Sequence, residues 1–281
     1  MKNALANPVL LKELKLRFRN LKSFIGIFFY LAALSLFVFG FIFLTTTLSG
    51  NGFFRPDESF LLFAMISYIQ LGLILFITPG LTAGAISSER EKQTLNILLT
   101  TSQTSWQIIF GKMSSSIAFL LLMIVSGLPV YSLVFLYGGV SPVQIAIIFA
   151  FYFLTLVAIG SLGVLFSTWI RKTIVSMIVT YGVMLFITAV TGFFMLISIS
   201  VSQGFGMQQT TFSPLAHFWA SVNPAVVMVT LLEPSFSDEI LLMTGVPFPL
   251  WAGYLIFYSL VTVGALLLAV KKLRVNMSKY K

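Results

Sequence analysis

Six apolar stretches decide what this chain can become: Phe24–Leu48, Phe60–Ile86, Gly111–Tyr137, Val143–Trp169, Ile174–Ile199 and Leu250–Val270. Apart from Lys112 near the start of the third, none contains Asp, Glu, Lys or Arg. A helix needs roughly 20 apolar residues to cross about 30 Å of hydrocarbon, so each stretch is long enough to span a membrane. The composition agrees: 58% of residues are hydrophobic and 9% charged, where a soluble domain carries about 25% charged residues. A soluble enzyme, a disordered linker and a DNA-binding module are excluded. The expected fold is an all-α polytopic membrane protein with six transmembrane helices.

Charge sets the orientation. Under a six-span reading, sixteen of the seventeen basic residues fall on one side, with Arg55 alone on the other. Five of the eight acids, Asp57, Glu58, Glu233, Asp238 and Glu239, accompany Arg55. The positive-inside rule then places both termini in the cytoplasm. A miscounted span would scatter the charges, so their segregation supports the number six. The net charge of +9 orients the chain in a membrane and gives no sign of nucleic acid as a partner. The first run is too long for a signal-peptide core and lacks a small-residue cleavage site, so it reads as an uncleaved span.

Residues 1–23 read as a cytoplasmic elbow helix at the membrane surface. Asn7-Pro8 gives a cap followed by proline at the first helical position. Leu11, Leu14, Phe18 and Leu21 share one arc, and Lys12, Lys15, Arg19 and Lys22 the neighbouring one. Such a helix rests its apolar side in lipid and its basic side on anionic headgroups. Residues 24–270 form the transmembrane domain, and 271–281 a basic cytoplasmic tail.

The connection Ser87–Lys112, SSEREKQTLNILLTTSQTSWQIIFGK, is the most informative. Ser88 and Glu91 have the spacing of a capping box, with Thr94, Leu95, Leu98 and Leu99 following on one face. Thr104 and Gln107 repeat that spacing ahead of a helix running through Trp106 and Ile109 into the third span. A short surface helix, charged at its start and apolar on one side, suits docking of a partner protein; the plain alternative is a loop packing on its own spans. The outer connection, about 200–249, includes the run Ala225–Leu232. That run is too short to span but fits a re-entrant helix capped by Asn223.

Chemistry-bearing motifs are missing from the sequence. There is no GxxxxGK[ST] phosphate cradle, because Gly111-Lys112 lacks the upstream glycine. GxSxG, HExxH and paired intramembrane carboxylates are also missing, and there is no cysteine. His217, the single histidine, sits among aromatics and reads as a packing residue. Polar groups inside spans reduce to Gln70, Gln144 and scattered Ser and Thr, which mostly bond their own helix or a neighbour. Ion-coupled transport usually needs buried ionisable groups, so any transport here draws its energy from elsewhere. Gly160 and Gly163, flanking Ser161, permit close helix packing in the fourth span.

The connection also resembles the segment after the second span in permease subunits of the ABC-2 type. The resemblance rests on Glu89-Arg90-Glu91, Thr94-Leu95, Leu98-Leu99, Thr101-Ser102, Trp106-Gln107-Ile108 and Gly111-Lys112. Where the family often has Gly before Thr-Leu, this chain has Gln93, and the proline after Thr-Ser is absent. The opening NPVLLKELKLRFRN and the Asn223-Pro224 helix also look like parts of such permeases. The resemblance implies a coupling helix at about 87–104, with Glu89, Arg90, Glu91, Thr94, Leu95, Leu98 and Leu99 docking a separate ABC ATPase. It implies no catalysis and no cofactor on this chain, ATP and Mg belonging to the ATPase. A second permease subunit would pair with this one, in a plasma membrane, bacterial by the family's habit. Export of a hydrophobic or amphipathic substrate, a peptide, antibiotic or lipid, would follow. The alternatives are an ATPase-independent channel or secondary transporter, a non-transporting scaffold or sensor with a permease fold, and an intramembrane enzyme.

Overall fold

The computed structural model describes residues 8–48, 56–100, 103–136, 138, 140–203 and 213–278. Regular structure among them is entirely helical. Fourteen α-helices run in order: α1 (Pro8–Phe18), α2 (Leu21–Leu48), α3 (Pro56–Thr82), α4 (Ser87–Glu91), α5 (Leu95–Leu99), α6 (Ser105–Ser126) and α7 (Leu128–Leu136). Then come α8 (Pro142–Trp169), α9 (Thr173–Leu185), α10 (Thr191–Gln203), α11 (Pro214–Val222), α12 (Pro224–Leu232), α13 (Pro234–Thr244) and α14 (Leu250–Ser278). Six are long and apolar enough to cross a membrane, singly or joined with a neighbour, and the chain is a multi-pass membrane protein.

Burial separates an inner group of helices from an outer one. Within their most apolar windows, 61% of the third span and 50% of the fourth are buried, against 17% for the first and fifth. The fourth span, α8, is the axis, packed by α14, α3, α6 and α9. Glycine makes this possible: a Cβ on Gly163 would lie 2.1 Å from Thr82 Oγ1 and 2.9 Å from Thr82 Cβ. The backbones of α3 and α8 approach too closely there for any side chain, as the small residues of this span lead one to expect.

Many polar groups in the spans find partners on their own helix or a neighbour, whereas Ser67 Oγ, Gln70 Nε2, Ser115 Oγ and Ser176 Oγ are buried without one. Thr78, Thr82, Thr155, Thr168 and Thr180 each donate to a carbonyl one turn back. Tyr30 donates to Gln70, and Gln144 reaches the carbonyl of Leu232 at 2.9 Å. Backbone groups without water must find partners inside the protein, and these hydroxyls and the Gln144 amide do the same.

Two spans are less regular than their apolar patterns suggest. The third breaks at Gly127, just before Pro129, whose ring nitrogen has no proton to donate. The fifth contains a π-helical turn, Phe186–Val190, between α9 and α10. α14 continues past the apolar run, carrying Lys271 and Lys272 on the same helix.

The connection before α14 is richer than a loop with one helix. Three helices, α11 to α13, follow one another there, and α11 and α12 meet at 88°. The corner is Asn223. Its Oδ1 accepts from Ala225 N at 2.9 Å and Val226 N at 3.2 Å, capping α12 as the spacing predicts. Its Nδ2 donates to Thr188 O at 2.6 Å and Thr191 Oγ1 at 3.0 Å, in and beside the π-helical turn. His217 is buried in α11, its Nδ1 3.4 Å from Thr244 Oγ1 and its ring edge-on to Phe248.

Candidate functional site: the charged surface segment

After the second span the chain emerges through α4 and α5. The start of α4 has no side-chain cap of its own. Ser88, expected to form a capping box with Glu91, instead donates its hydroxyl back to the Gly84 carbonyl. The N–H groups of Ile86 and Ser87 are accepted by Ser167 Oγ of α8, at 2.8 and 2.9 Å. A cap supplied by a neighbouring span has displaced the local one, which is why the local spacing misled.

The three successive charges of the segment go to three different places. Glu89 Oε1 accepts from Lys112 Nζ of α6 at 2.9 Å, and its other oxygen accepts from the Thr94 hydroxyl. Arg90 donates to the carbonyls of Thr168 and Ile170, at 3.1 and 3.2 Å, where α8 ends. Glu91 accepts from Thr173 N at 2.9 Å and the Thr173 hydroxyl at 2.8 Å, where α9 begins. A cation at a helix C-terminus and an anion at an N-terminus are the favourable arrangements for the helix dipole.

Lys112 is buried, with 7% of its side chain exposed, and carries a second carboxylate: Glu13 Oε1 of α1 lies 2.8 Å from its ammonium. The one cation within an apolar run therefore joins α1, α4 and α6. Arg17, one turn beyond Glu13, donates to Ser116 Oγ at 3.3 Å and lies 5.7 Å over the Phe119 ring. Burial lowers its pKa from the ordinary arginine value and the charge of Glu13 works against that shift; it stays protonated because that value is so high.

This corrects the expected faces of α1. The stripe against α6 is Val9, Glu13 and Arg17, at helical spacing, so part of the packing face is charged. Leu14 and Phe18 are half-buried and Leu11 is exposed. Leu21 lies beyond the turn at Arg19 and belongs to α2. Lys12, Lys15 and Arg19 are exposed; Asn7 and the side chain of Lys22 lie outside the described residues. Sequence reasoning missed Glu13 and Arg17 because it sorted α1 into lipid and headgroup arcs. Their four-residue spacing, matched by Lys112 and Ser116 on α6, was the available signal.

α4 ends in a Schellman turn: Gln93 N bonds Arg90 O at 3.1 Å and Thr94 N bonds Glu89 O at 2.9 Å. Gln93 has φ = 58°, left-handed backbone that favours glycine. Its position is where the resembling permeases often have glycine. Beyond it Leu95 is buried and Leu98 and Leu99 half-buried, while Lys92, Asn96, Ile97 and Thr100 are exposed, Ile97 at 70%. Thr94 and the leucines thus share the inward face that their spacing predicts. Thr101 and Ser102 lie outside the described residues. Thr104 and Gln107 form both halves of the expected capping box at the start of α6.

The segment offers no catalytic constellation, and the described residues contain no cluster of three or more His, Cys, Asp or Glu that could hold a metal. Ion pairs and hydrogen bonds tie the segment, directly or through Lys112, to α1, α6, α8 and α9. A family model described as ABC-2 family transporter protein matches residues 9–271, nearly the whole chain. A comparison with curated protein sequences finds no match.

Proposed function

Because this chain belongs to the ABC-2 family of transporter proteins, we propose that it is the membrane-spanning half of an ATP-driven exporter whose nucleotide-binding subunit is a separate chain. α4 and α5 face the cytoplasm in this reading and form the coupling helix, with both chain termini on the same side. Lys92, Asn96 and Ile97 meet the ATPase. Glu89, Arg90, Glu91, Thr94, Leu95, Leu98 and Leu99, named above as docking residues, carry the resulting movement to α1, α6, α8 and α9. α1 rests on anionic headgroups through Lys12, Lys15, Arg19 and Lys22. A second permease subunit completes the pathway, and the cargo is hydrophobic or amphipathic, since the spans offer little charge to hold an ion. ATP and Mg act on the partner, and this chain performs no catalysis.

The observation that carries this reading is the threefold attachment of Glu89-Arg90-Glu91 to separate helices beneath an exposed apolar Ile97. The test is co-purification with the candidate ATPase from detergent. Ile97→Asp should release the ATPase while the permease stays folded. Leu95→Asp, which buries a charge, should lower the melting temperature as well. Unchanged ATPase binding by a folded Ile97→Asp protein would sink the docking surface.

A further inference from the structure

A cleft of ≈ 460 Å³ opens between α2, α3 and α6. Its wall includes Ala33, Leu34 and Phe37 of α2, Leu73 of α3, and Phe119 and Met123 of α6. Among the described residues of the wall, only Tyr30 carries a hydroxyl, which it donates to Gln70. Gly26 also lines the cleft, and a Cβ there would meet open space. The volume is that of an ordinary small-molecule site, yet its chemistry offers a ligand little beyond dispersion and burial.

We propose that this cleft holds an acyl chain of an anionic phospholipid from the leaflet on the α1 side. The cleft runs along α2 from Gly26 to Phe37, which at 1.5 Å per residue is about 16 Å. Half of a hydrocarbon core about 30 Å thick is about 15 Å, so the cleft matches one leaflet in depth. Its ends differ. At the shallow end, Phe119 sits under the Arg17 guanidinium and 6.5 Å from Phe18. There the C-terminal end of α1 also presents exposed Lys15 and Arg19. Positive charge at the headgroup level above an apolar slot fits a phosphodiester better than a neutral lipid. α2 itself is only 17% buried in its apolar window, so the chain fills a seam between a loosely held span and the inner helices. The acyl-chain part needs only that α2 lies in a membrane, while the anionic part rests on the proposed seating of α1 on headgroups; neither depends on the cargo or the ATPase.

The experiment is photolabelling of the full chain, reconstituted in vesicles containing phosphatidylglycerol with a diazirine on its acyl chain. Adducts are mapped by peptide mass spectrometry. Label should concentrate on Tyr30, Phe119 and Met123, above the exposed Leu260 of α14. Ala33→Trp fills the cleft from an exposed position and should lower the cleft adducts about tenfold, a change of about 1.4 kcal/mol in affinity, with Leu260 unchanged. Ile69→Trp, from the α3 wall, repeats the test if the first variant folds poorly. Lys15→Gln/Arg19→Gln should erase the preference for phosphatidylglycerol over the same label on phosphatidylcholine. Equal labelling of cleft and Leu260, or cleft adducts indifferent to Ala33→Trp, overturns the proposal. So does an unlabelled cleft whose position 33, as cysteine, cross-links to a second copy of the chain. A headgroup preference that survives loss of both cations overturns the anionic part.

Discussion

Glu91 holds Thr173 by both its backbone N–H and its hydroxyl, at 2.9 and 2.8 Å, although the two residues are 82 positions apart. One exposed carboxylate therefore fixes where the fifth span begins relative to the end of the second. Glu91→Ala frees the first turn of α9. Amide hydrogen exchange at Thr173 and the residues just after it should accelerate, with exchange in α8 unchanged. Equal protection in both proteins would mean that the α8–α9 turn holds α9 without help.

Lys112 is the charge whose loss should cost most. Lys112→Met leaves Glu13 and Glu89 without their shared cation. Removing one partner of a buried ion pair is strongly destabilising, though both carboxylates here are about a quarter exposed. The expected loss is about 2–3 kcal/mol after that screening. Adding Glu13→Gln and Glu89→Gln should return much of it, because neutral amides need no counter-ion. Thermal unfolding in detergent with all three proteins decides the matter, and no recovery in the triple variant would refute the shared-cation account.

Gln93 pays a conformational cost that glycine would not. Left-handed backbone costs a residue with a Cβ about 1–2 kcal/mol, and glycine gives back part of the gain as chain entropy. Gln93→Gly should raise stability by about 0.5–1 kcal/mol and leave the Schellman turn in place. A drop in melting temperature would show that the Gln93 side chain contributes something the backbone does not reveal.

Gly163→Ala should be poorly tolerated. The new Cβ would overlap Thr82 Oγ1 at 2.1 Å, and α3 and α8 would have to separate along a buried seam. Overpacking of this kind costs about 1–3 kcal/mol. Adding Thr82→Ala should relieve part of it, and additive losses in the double variant would contradict the contact.

Much of this architecture was legible because membranes simplify the problem. Charge-free runs locate the spans, since the cost of burying an ion in hydrocarbon outweighs local preference. The Thr104–Gln107 capping box was legible for a different reason: both partners lie within one helical turn. Ser88–Glu91 has the same spacing and formed no box, because Ser167 and Thr173 supplied better partners from distant spans. The breaks in the third and fifth spans follow the same division. Pro129 was a local signal for the first that the reading of one continuous third run left unused, whereas the π-helical turn is bonded by Asn223, thirty-two positions away from Thr191. The charged stripe on α1 needed α6 beside it to be seen as a packing face.

Asn223 sits at the 88° corner with its two amide atoms committed in opposite directions. Aspartate would keep the cap on α12 and lose the donor to the π-helical turn. Serine would keep the cap and fall short of that turn, and glutamine would overshoot the cap by a methylene. A library randomised at this codon and selected for folded protein should return asparagine almost alone. At an exposed position such as Leu242 the same library should return a broad mixture of residues.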